Sequence, residues 1–418
     1  MQKSPVPVKE TGAKPQRPRH APPRTPDTDP YYKTIAARFR AAKYGTFAVL
    51  IAFLIFSFTF LRNDITLENL RYLLKFISFT NTETSITVPK IHYDSGDPNR
   101  LELFVGDLVT LTKDGYALYD SRGNQIMSED ISLNEPVLRI SSRYALCYDL
   151  GGYNFHLLNT FAKLYDGTTE YPITDAAVSD TGSFAVASST REYRTQVMLY
   201  DENFKPVSRV LKNDHLMALE MKPDGSEAAI MTSAADGGSF YTRIELVAPG
   251  ADSAIRAAEI NGLGYAFYFT EGGYAAVTDE AICFFDEQLE MRAAIPHASA
   301  PAMTHSSGRY ITRITSDGII GNNYTLEIFD LSGKLAYRGN FTGKLSAAAS
   351  DETGDYIFVL AGNQVIRVNL YNKKIGSVTV EQDAIDVLPL DPDSFLLALK
   401  NYALTYDVTF DEAYYDRP

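Results

Sequence analysis

The stretch AVSDTGSFAVAS, residues 177–188, joins two apolar strands through a short polar turn at Gly182. LEMKPDGSEAAIM, residues 219–231, repeats this pattern around Gly225. Eight such units follow one another about 40 residues apart, which is the length of a four-stranded propeller blade. The sequence therefore predicts an all-β chain folded as an eight-bladed β-propeller, with seven blades as the alternative because the first two units are the weakest. Their turns lie at Gly106, Ser142, Gly182, Gly225, Gly273, Gly308, Gly354 and Asp393.

A second turn recurs later in the units, where an apolar run ends in an aromatic residue or Leu followed by Asp. Asp favours such turns because its carboxylate accepts a hydrogen bond from the backbone two residues on. In the seventh unit we assign Asn372 to the same position. The predicted blade is strand, Gly turn, strand, loop, strand, Asp turn, strand. The Asp turns lie at Asp120, Asp201, Asp286 and Asp330.

The eighth unit lacks a fourth strand of its own. Residues 85–93, SITVPKIHY, have a β-like pattern but no partner before the first unit. We expect them to pair into the last blade and close the ring, which removes an exposed sheet edge. The propeller is then predicted over residues 83–412, with a C-terminal tail over residues 413–418.

These repeats resemble those of the quinoprotein-like and YVTN-type β-propeller superfamily, through the KPDG turn of residues 222–225 and the Tyr-Asp turns. The resemblance implies the architecture for residues 85–410. Quinoprotein dehydrogenases stack a Trp in every blade, and this chain has no Trp, so the resemblance implies no quinone chemistry. The layout also resembles uncharacterised single-pass, membrane-anchored propeller proteins of Gram-positive bacteria, which have no established activity to carry over.

Residues 44–62 are predicted to form a transmembrane helix. The first 18 of them carry no charge and would span about 27 Å as a helix, close to the thickness of the hydrocarbon layer. Arg38, Arg40 and Lys43 precede them, so the positive-inside rule places the N-terminus in the cytoplasm. We interpret the segment as a retained signal anchor, rather than a cleaved signal peptide, in a plasma-membrane protein whose propeller is extracytoplasmic.

The segments beside this helix differ in charge. Residues 1–43 contain ten Lys or Arg and three acids, and with eight prolines among the first 30 residues they are predicted to form a disordered cytoplasmic tail. Residues 63–82 have Leu and Ile at helical spacing and are predicted to form a juxtamembrane amphipathic helix. The whole chain has a net charge of −13, and its acidic body argues against nucleic acid binding.

No motif for catalysis or for a cofactor occurs in the sequence. There is no HExxH, no GxxxxGK[ST] and no GxSxG, and the six histidines are scattered singly. Cys147 and Cys283 fall in blades too far apart for a disulfide, so we expect both to be buried free thiols. We therefore assign no catalytic residue, no cofactor and no metal.

Three connections between the second and third strands are longer than the others, and such insertions often mark the binding face of a repeat protein. They span residues 189–195, 233–241 and 316–324. Ordinary variation in loop length is the alternative explanation. The candidate partner-binding residues mix aromatic, cationic and amide side chains and are Arg191, Tyr193, Arg194, Phe240, Tyr241, Asn322, Asn323 and Tyr324.

Three functions remain open, of which a sensor that relays ligand binding through the anchor to the tail ranks last because the tail has no recognisable output domain. The leading hypothesis is a membrane-anchored, non-catalytic binding or scaffolding module for an envelope protein or a cell-wall component. The alternative is a propeller hydrolase or lyase that acts on envelope glycans or peptides through residues gathered in the central channel. A linear search would miss such residues, and a convergent set of carboxylates in the channel would favour the alternative. No pattern predicts the oligomeric state.

Overall fold

The computed structural model describes residues 38–49, 51–52, 90–93, 100–251, 253–318 and 322–415. The chain divides into two units, Met1–Glu83 and Thr84–Pro418. In the first unit, residues 38–49 and 51–52 are helical. Across the described residues, no helix is both long and apolar enough to span a membrane. The remainder of the predicted tail and transmembrane helix, and the whole predicted amphipathic helix, lie outside the described residues.

Among the described residues, the second unit has seven four-stranded antiparallel sheets and one five-stranded sheet, and in six of them all the strands follow their sequence order. Apolar runs separated by Gly and Asp turns favour this meander, because each short turn pairs neighbouring strands. The strands of the first four blades are β2 Arg100–Phe104, β3 Asp107–Leu111, β4 Gly115–Tyr119, β5 Gln125–Asp130, β6 Pro136–Ile140, β7 Ala145–Asp149, β8 Asn154–Leu158, β9 Lys163–Thr168, β10 Ile173–Val178, β11 Phe184–Ser188, β12 Thr195–Tyr200, β13 Pro206–Lys212, β14 His215–Met221, β15 Ala228–Asp236, β16 Ser239–Val247 and β17 Arg256–Asn261.

The other four blades complete a closed ring. The first strand of each blade contacts the first strand of the next blade, and that of the last blade contacts β2, so these strands are innermost and surround the channel. The remaining strands are β18 Gly264–Thr270, β19 Gly273–Thr278, β20 Ala281–Phe285, β21 Met291–Pro296, β22 Met303–Ser306, β23 Tyr310–Ser316, β24 Asn323–Asp330, β25 Leu335–Thr342, β26 Leu345–Ser350, β27 Tyr356–Ala361, β28 Gln364–Asn369, β29 Lys374–Thr379, β30 Asp386–Asp391, β31 Ser394–Ala398, β32 Tyr402–Asp407, β1 Lys90–His92 and β33 Asp411–Tyr414.

The predicted closure of the ring is confirmed. Strand β1 pairs antiparallel with β32 in the eighth blade, with Ile91 opposite Ala403. Ile91 is fully buried, and the Tyr93 hydroxyl donates hydrogen bonds to the carbonyls of Leu399 and Tyr402. With eight sheets among the described residues, the eight-bladed prediction is also confirmed over the seven-bladed alternative.

The C-terminus departs from the prediction. We expected residues 413–418 to form a tail, but β33 pairs with β29 as a fifth strand of blade seven. The Arg367 guanidinium holds this strand through Glu412 at 2.5 Å, and it also lies 3.9 Å from the centre of the Phe410 ring. A strand this short gives a weak sequence pattern, and its pairing depends on contacts with distant residues.

The Asp turns form as predicted. In the first blade the Asp120 carboxylate accepts a hydrogen bond from the Arg122 amide at 2.9 Å. The equivalent bonds occur at Asp201, Asp286 and Asp330. The seventh blade requires a correction, because the capping side chain is Asn369, which accepts from the Asn372 amide at 2.9 Å. Asn372 lies three residues further on, inside the turn.

Aromatic side chains fill the spaces between blades. Between blades two and three, Phe184 stacks on Tyr200 with ring centres 4.3 Å apart, and Phe155 packs against both rings. Cys147 and Cys283 are buried free thiols, as predicted, and burial raises the pKa of Cys283 to about 11.

Candidate functional site

Five charged side chains from consecutive blades come together on the innermost strands. We call this set the channel cluster: Glu102 on β2, Arg139 on β6, Asp175 on β10, Glu220 on β14 and Asp386 on β30. Arg139 is central, because its charge lowers the pKa of both Glu102 and Glu220 and it bonds Asp175 directly. Four carboxyls around one guanidinium leave the cluster short of positive charge.

Asp175 is the best satisfied member of the cluster. Its carboxylate accepts from the Arg139 guanidinium and from the Tyr148 hydroxyl, each at 3.0 Å. It also accepts from the backbone amides of Ala176 and Leu219, at 2.9 and 3.1 Å. The donors come from blades two, three and four, so Asp175 joins three blades. Asp175 therefore has a structural role in holding these blades together.

Glu220 has no hydrogen-bond donor among the described residues. Burial raises its pKa to about 7, with Arg139 opposing the shift and Asp175 adding to it. A carboxyl with this pKa exchanges its proton near neutrality. Glu220 therefore lies near a fully hydrogen-bonded carboxylate and can exchange a proton near pH 7.

Glu102 and Asp386 form the other end of the cluster, where the first and last blades meet. Burial raises the pKa of Glu102 to about 7, and the charge of Asp386 adds to the shift. Burial also raises the pKa of Asp386 to about 6, against one hydrogen bond from the Val387 amide. Glu102 is nevertheless exposed, because its side chain is surrounded by protein atoms but faces the open channel.

A cavity of about 350 Å³ opens between β2, β6 and β30. Its lining combines two acids and one base with aliphatic side chains, and it consists of Arg100, Leu101, Glu102, Val137, Leu138, Ile385 and Asp386. A wider cavity of about 740 Å³ lies beside it, between blades seven and eight, and the two share Ile385. Lys344, Ser346, Asn363 and Gln382 give the wider cavity a polar wall.

Neutral polar groups occupy the other side of the ring. The hydroxyls of Tyr268 and Thr304 lie 2.9 Å apart, and His305 Nε2 lies 3.1 Å from the Ser350 hydroxyl. Burial lowers the pKa of His305 to about 4, so its ring is neutral at pH 7. Over the described residues, no three His, Cys, Asp or Glu are arranged to hold a metal ion.

The eight residues predicted from the loops stay on three separate blades. In blade three, Arg191 is exposed, the Tyr193 amide is capped by Thr190, and Arg194 contacts His215. In blade four the insertion is an extension of the β15–β16 hairpin that turns at Gly237 and Gly238.

The tip of that hairpin is exposed. Phe240 is 52% exposed and Tyr241 is half-buried. In blade six, Asn322 and Asn323 are exposed, whereas Tyr324 stacks on Phe341 with ring centres 5.4 Å apart. All three connections leave their blades on the same face, since each joins a second strand to a third.

No sequence motif identified the channel cluster. A signal does exist, since each acid interrupts or begins an apolar innermost strand, as in RLELF of β2, ITDAAV of β10 and DVLPLD of β30. A charge on an innermost strand has to face the channel or find a partner. Aligning the eight units by their turns would have placed these acids on the same strand of their blades.

The fold and the site can be compared with known proteins. A family described as a family of unknown function (DUF5711) matches residues 78–408, more than three quarters of the chain. No curated protein matches the sequence.

Several solved structures are similar. BamB from Moraxella catarrhalis is 11% identical, with a TM-score of 0.50 over 77% of this chain and 99% of its own. The dihydro-heme d1 dehydrogenase NirN in complex with DHE is 12% identical, with a TM-score of 0.53 over 83% and 82%. Sqt1 from Chaetomium thermophilum is 11% identical, with a TM-score of 0.51 over 78% and 100%. At such identities these likenesses support the propeller fold and carry no function.

Proposed function

This chain belongs to the DUF5711 family of unknown function, and we propose that it is a non-catalytic binding or scaffolding module. In this proposal the propeller stands outside the plasma membrane and binds an envelope protein or a cell-wall component. The observation that carries it is the extended β15–β16 hairpin, which exposes Phe240 at its tip. Exposed aromatic side chains are favoured at protein interfaces, where they bury a large area at a small cost in entropy.

The proposed anchor depends on the N-terminal sequence. Residues 44–61 carry no charge, and their described part is helical. Arg38, Arg40 and Lys43 precede the apolar run, whereas Asp64 and Glu68 follow it. This asymmetry supports a cytoplasmic N-terminus and an extracytoplasmic propeller.

The proposal is tested by cross-linking on intact cells with a reagent that does not cross the membrane, followed by purification of the full chain. The variant F240S/Y241S removes the aromatic tip, and Y371S is the matched control. Tyr371 is 78% exposed but lies in the turn between β28 and β29, on the opposite face of the ring.

We expect one envelope component to be captured by the wild type and by Y371S. Capture by F240S/Y241S should be at least about tenfold weaker, since a central aromatic contact typically contributes 2 kcal/mol or so. Equal capture by all three proteins would contradict a role for the hairpin. Absence of any cross-linked species would contradict the extracytoplasmic scaffold.

The channel cluster favours a second candidate function, a hydrolase or lyase that acts on envelope glycans or peptides. Glu220 would act as the general acid, beside the carboxylate of Asp175 that Arg139 and Tyr148 orient. The convergence of four carboxyls is the observation that supports this candidate. The hydrogen bonds through which Asp175 joins three blades give this convergence a structural explanation. We therefore rank the candidate second.

A further inference from the structure

The 350 Å³ cavity between blades eight, one and two is built differently from the rest of the channel. Glu102, Asp386 and Arg100 line it, and Val137 and Ile385 supply aliphatic walls. Both signs of charge and an apolar surface therefore lie within one small space. Its volume is at the lower end for ligand pockets, which suits a small molecule.

The charged groups of this cavity are poorly satisfied by the protein. Glu102 accepts no hydrogen bond from any described residue, and Asp386 accepts only from the adjacent Val387 amide at 2.8 Å. Arg100 donates from Nε to the Pro136 carbonyl at 3.3 Å, and its two terminal nitrogens have no partner among the described residues. Arg100 and Glu102 are exposed and Asp386 is half-buried, so their unused donors and acceptors are open to solvent and accessible to a ligand.

We propose that the cavity binds an aliphatic α-amino acid, with its ammonium group between Glu102 and Asp386 and its carboxylate on Arg100. The side chain of the ligand would lie against Val137 and Ile385. A metal ion fits less well, because the described residues offer no group of three ligands. A neutral sugar would leave all three charges unpaired.

Ligand binding is expected to be coupled to protons. Burial is the main cause of the pKa values of about 7 for Glu102 and about 6 for Asp386; the charge of Asp386 raises that of Glu102 further, and Arg139 only partly opposes the shift. The other charged groups near the pair are Arg100, on the strand that carries Glu102, and Arg139 on β6. Tyr93, which follows β1, stays neutral because burial raises its pKa well above 10. A bound ammonium would lower both carboxyl pKa values, so binding would release protons and strengthen as pH rises from about 5.5 to 7.5.

This site is independent of the proposed partner-binding hairpin, which lies on blade four. Its test is isothermal titration of the full-length protein with L-leucine, at pH 5.5 and 7.5, in two buffers that differ in ionisation enthalpy. Isoamylamine lacks the carboxylate of leucine, and isocaproate lacks its ammonium. These two analogues separate the contribution of Arg100 from that of the acids.

We expect leucine to bind most tightly, isoamylamine more weakly and isocaproate not at all, with proton release at the lower pH. E102Q and D386N should each lower the affinity for leucine at least about tenfold. The R100Q variant should bind leucine only as tightly as the wild type binds isoamylamine. E202Q, which changes an exposed acid in a turn of blade three, should bind as the wild type does.

The wild-type titration keeps the test valid even where a variant does not fold. Absence of leucine binding at pH 7.5, or binding without proton release at pH 5.5, would overturn the proposal. Equal affinity for leucine in wild type and in folded E102Q would also overturn it. None of these results depends on whether the hairpin captures a partner.

Discussion

Asp175 and Glu220 are neighbouring acids in the channel with opposite environments. Asp175 accepts four hydrogen bonds from three blades, and Glu220 accepts none from the described residues. The two carboxyls therefore contribute to stability in different ways. One joins the innermost strands, and the other keeps a proton near neutral pH because it is buried without a donor.

The substitution D175A should lower the free energy of unfolding by about 2 to 4 kcal/mol, because it leaves Arg139 and the Tyr148 hydroxyl without their acceptor. The lower part of this range applies because Arg139 is partly exposed. At pH 5, where Glu220 is protonated, E220Q preserves both its shape and its charge and should change the free energy of unfolding by less than about 0.5 kcal/mol. Urea unfolding of both variants measures the difference. A similar loss in both would mean that the cluster is one structural network.

Substitution of Glu220 also distinguishes the two candidate functions. For a non-catalytic module we expect no product when the purified full chain is incubated with cell-wall glycans or peptides. If the second candidate holds, the wild type releases product and E220Q loses activity by about 10²-fold or more while remaining folded. Y371S serves again as the control, since it lies far from the channel. Product release that persists in E220Q would exclude Glu220 as the general acid.

At the scale of elements, two strands at opposite ends of the propeller sequence pair outside their own units. Strand β1 completes blade eight and buries Ile91 completely, whereas β33 adds an outer edge to blade seven and leaves Tyr414 79% exposed. Closure of the ring therefore depends mainly on β1. The long β15–β16 hairpin is a third departure from the simple repeat, because its insertion extends the ladder by regular pairs.

We predict that I91A costs about 3 kcal/mol, through lost apolar burial and the cavity it leaves. Deletion of residues 411–418 should cost less, about 1 to 2 kcal/mol, because Arg367 keeps its ion pair with Asp393 at 2.5 Å after Glu412 is removed. Thermal unfolding of both variants tests this order, with Y414S as a near-neutral control. A larger loss for the deletion would mean that β33 contributes more to stability than the closing strand β1.

At the scale of the whole molecule, stability should depend on pH through the enclosed acids. The pKa values of Glu102, Glu220 and Asp386 are raised in the folded protein, so the folded state binds more protons than the unfolded chain. Their contribution to stability is therefore greatest at low pH and is lost as pH rises from about 4.5 to 7. Carboxyls whose pKa is lowered in the folded protein, such as that of Glu412, change stability only at pH values below this range. The lowered pKa of His305 opposes the trend, so the acids must be isolated by substitution.

The triple variant E102Q/E220Q/D386N isolates this contribution. Between pH 8 and pH 5.5, the wild type should gain stability relative to the triple variant, measured as the difference in their unfolding temperatures. The histidines and surface acids are the same in both proteins and cancel. A difference that does not change with pH would show that the three carboxyls titrate normally in the folded state.

The sequence by itself determined the eight blades, the Asp turns and the pairing of the first strand into the last blade. Each of these follows from a local pattern repeated about every 40 residues, with hydrogen bonds that close within a turn or with a neighbouring strand. The sequence did not predict the position of the cap in blade seven. The capping residue is Asn369 and not Asn372, because strand β28 ends earlier than its apolar run indicated.

Only the tertiary structure decided the channel cluster and the cavity. Glu102 and Asp386 come from the first and last blades, and they become neighbours only because the ring closes. Arg139, Asp175 and Glu220 are separated in sequence by whole blades. No local rule predicts such contacts, since the free energy that brings these charges together comes from burial of the apolar blades around them and not from the charges themselves.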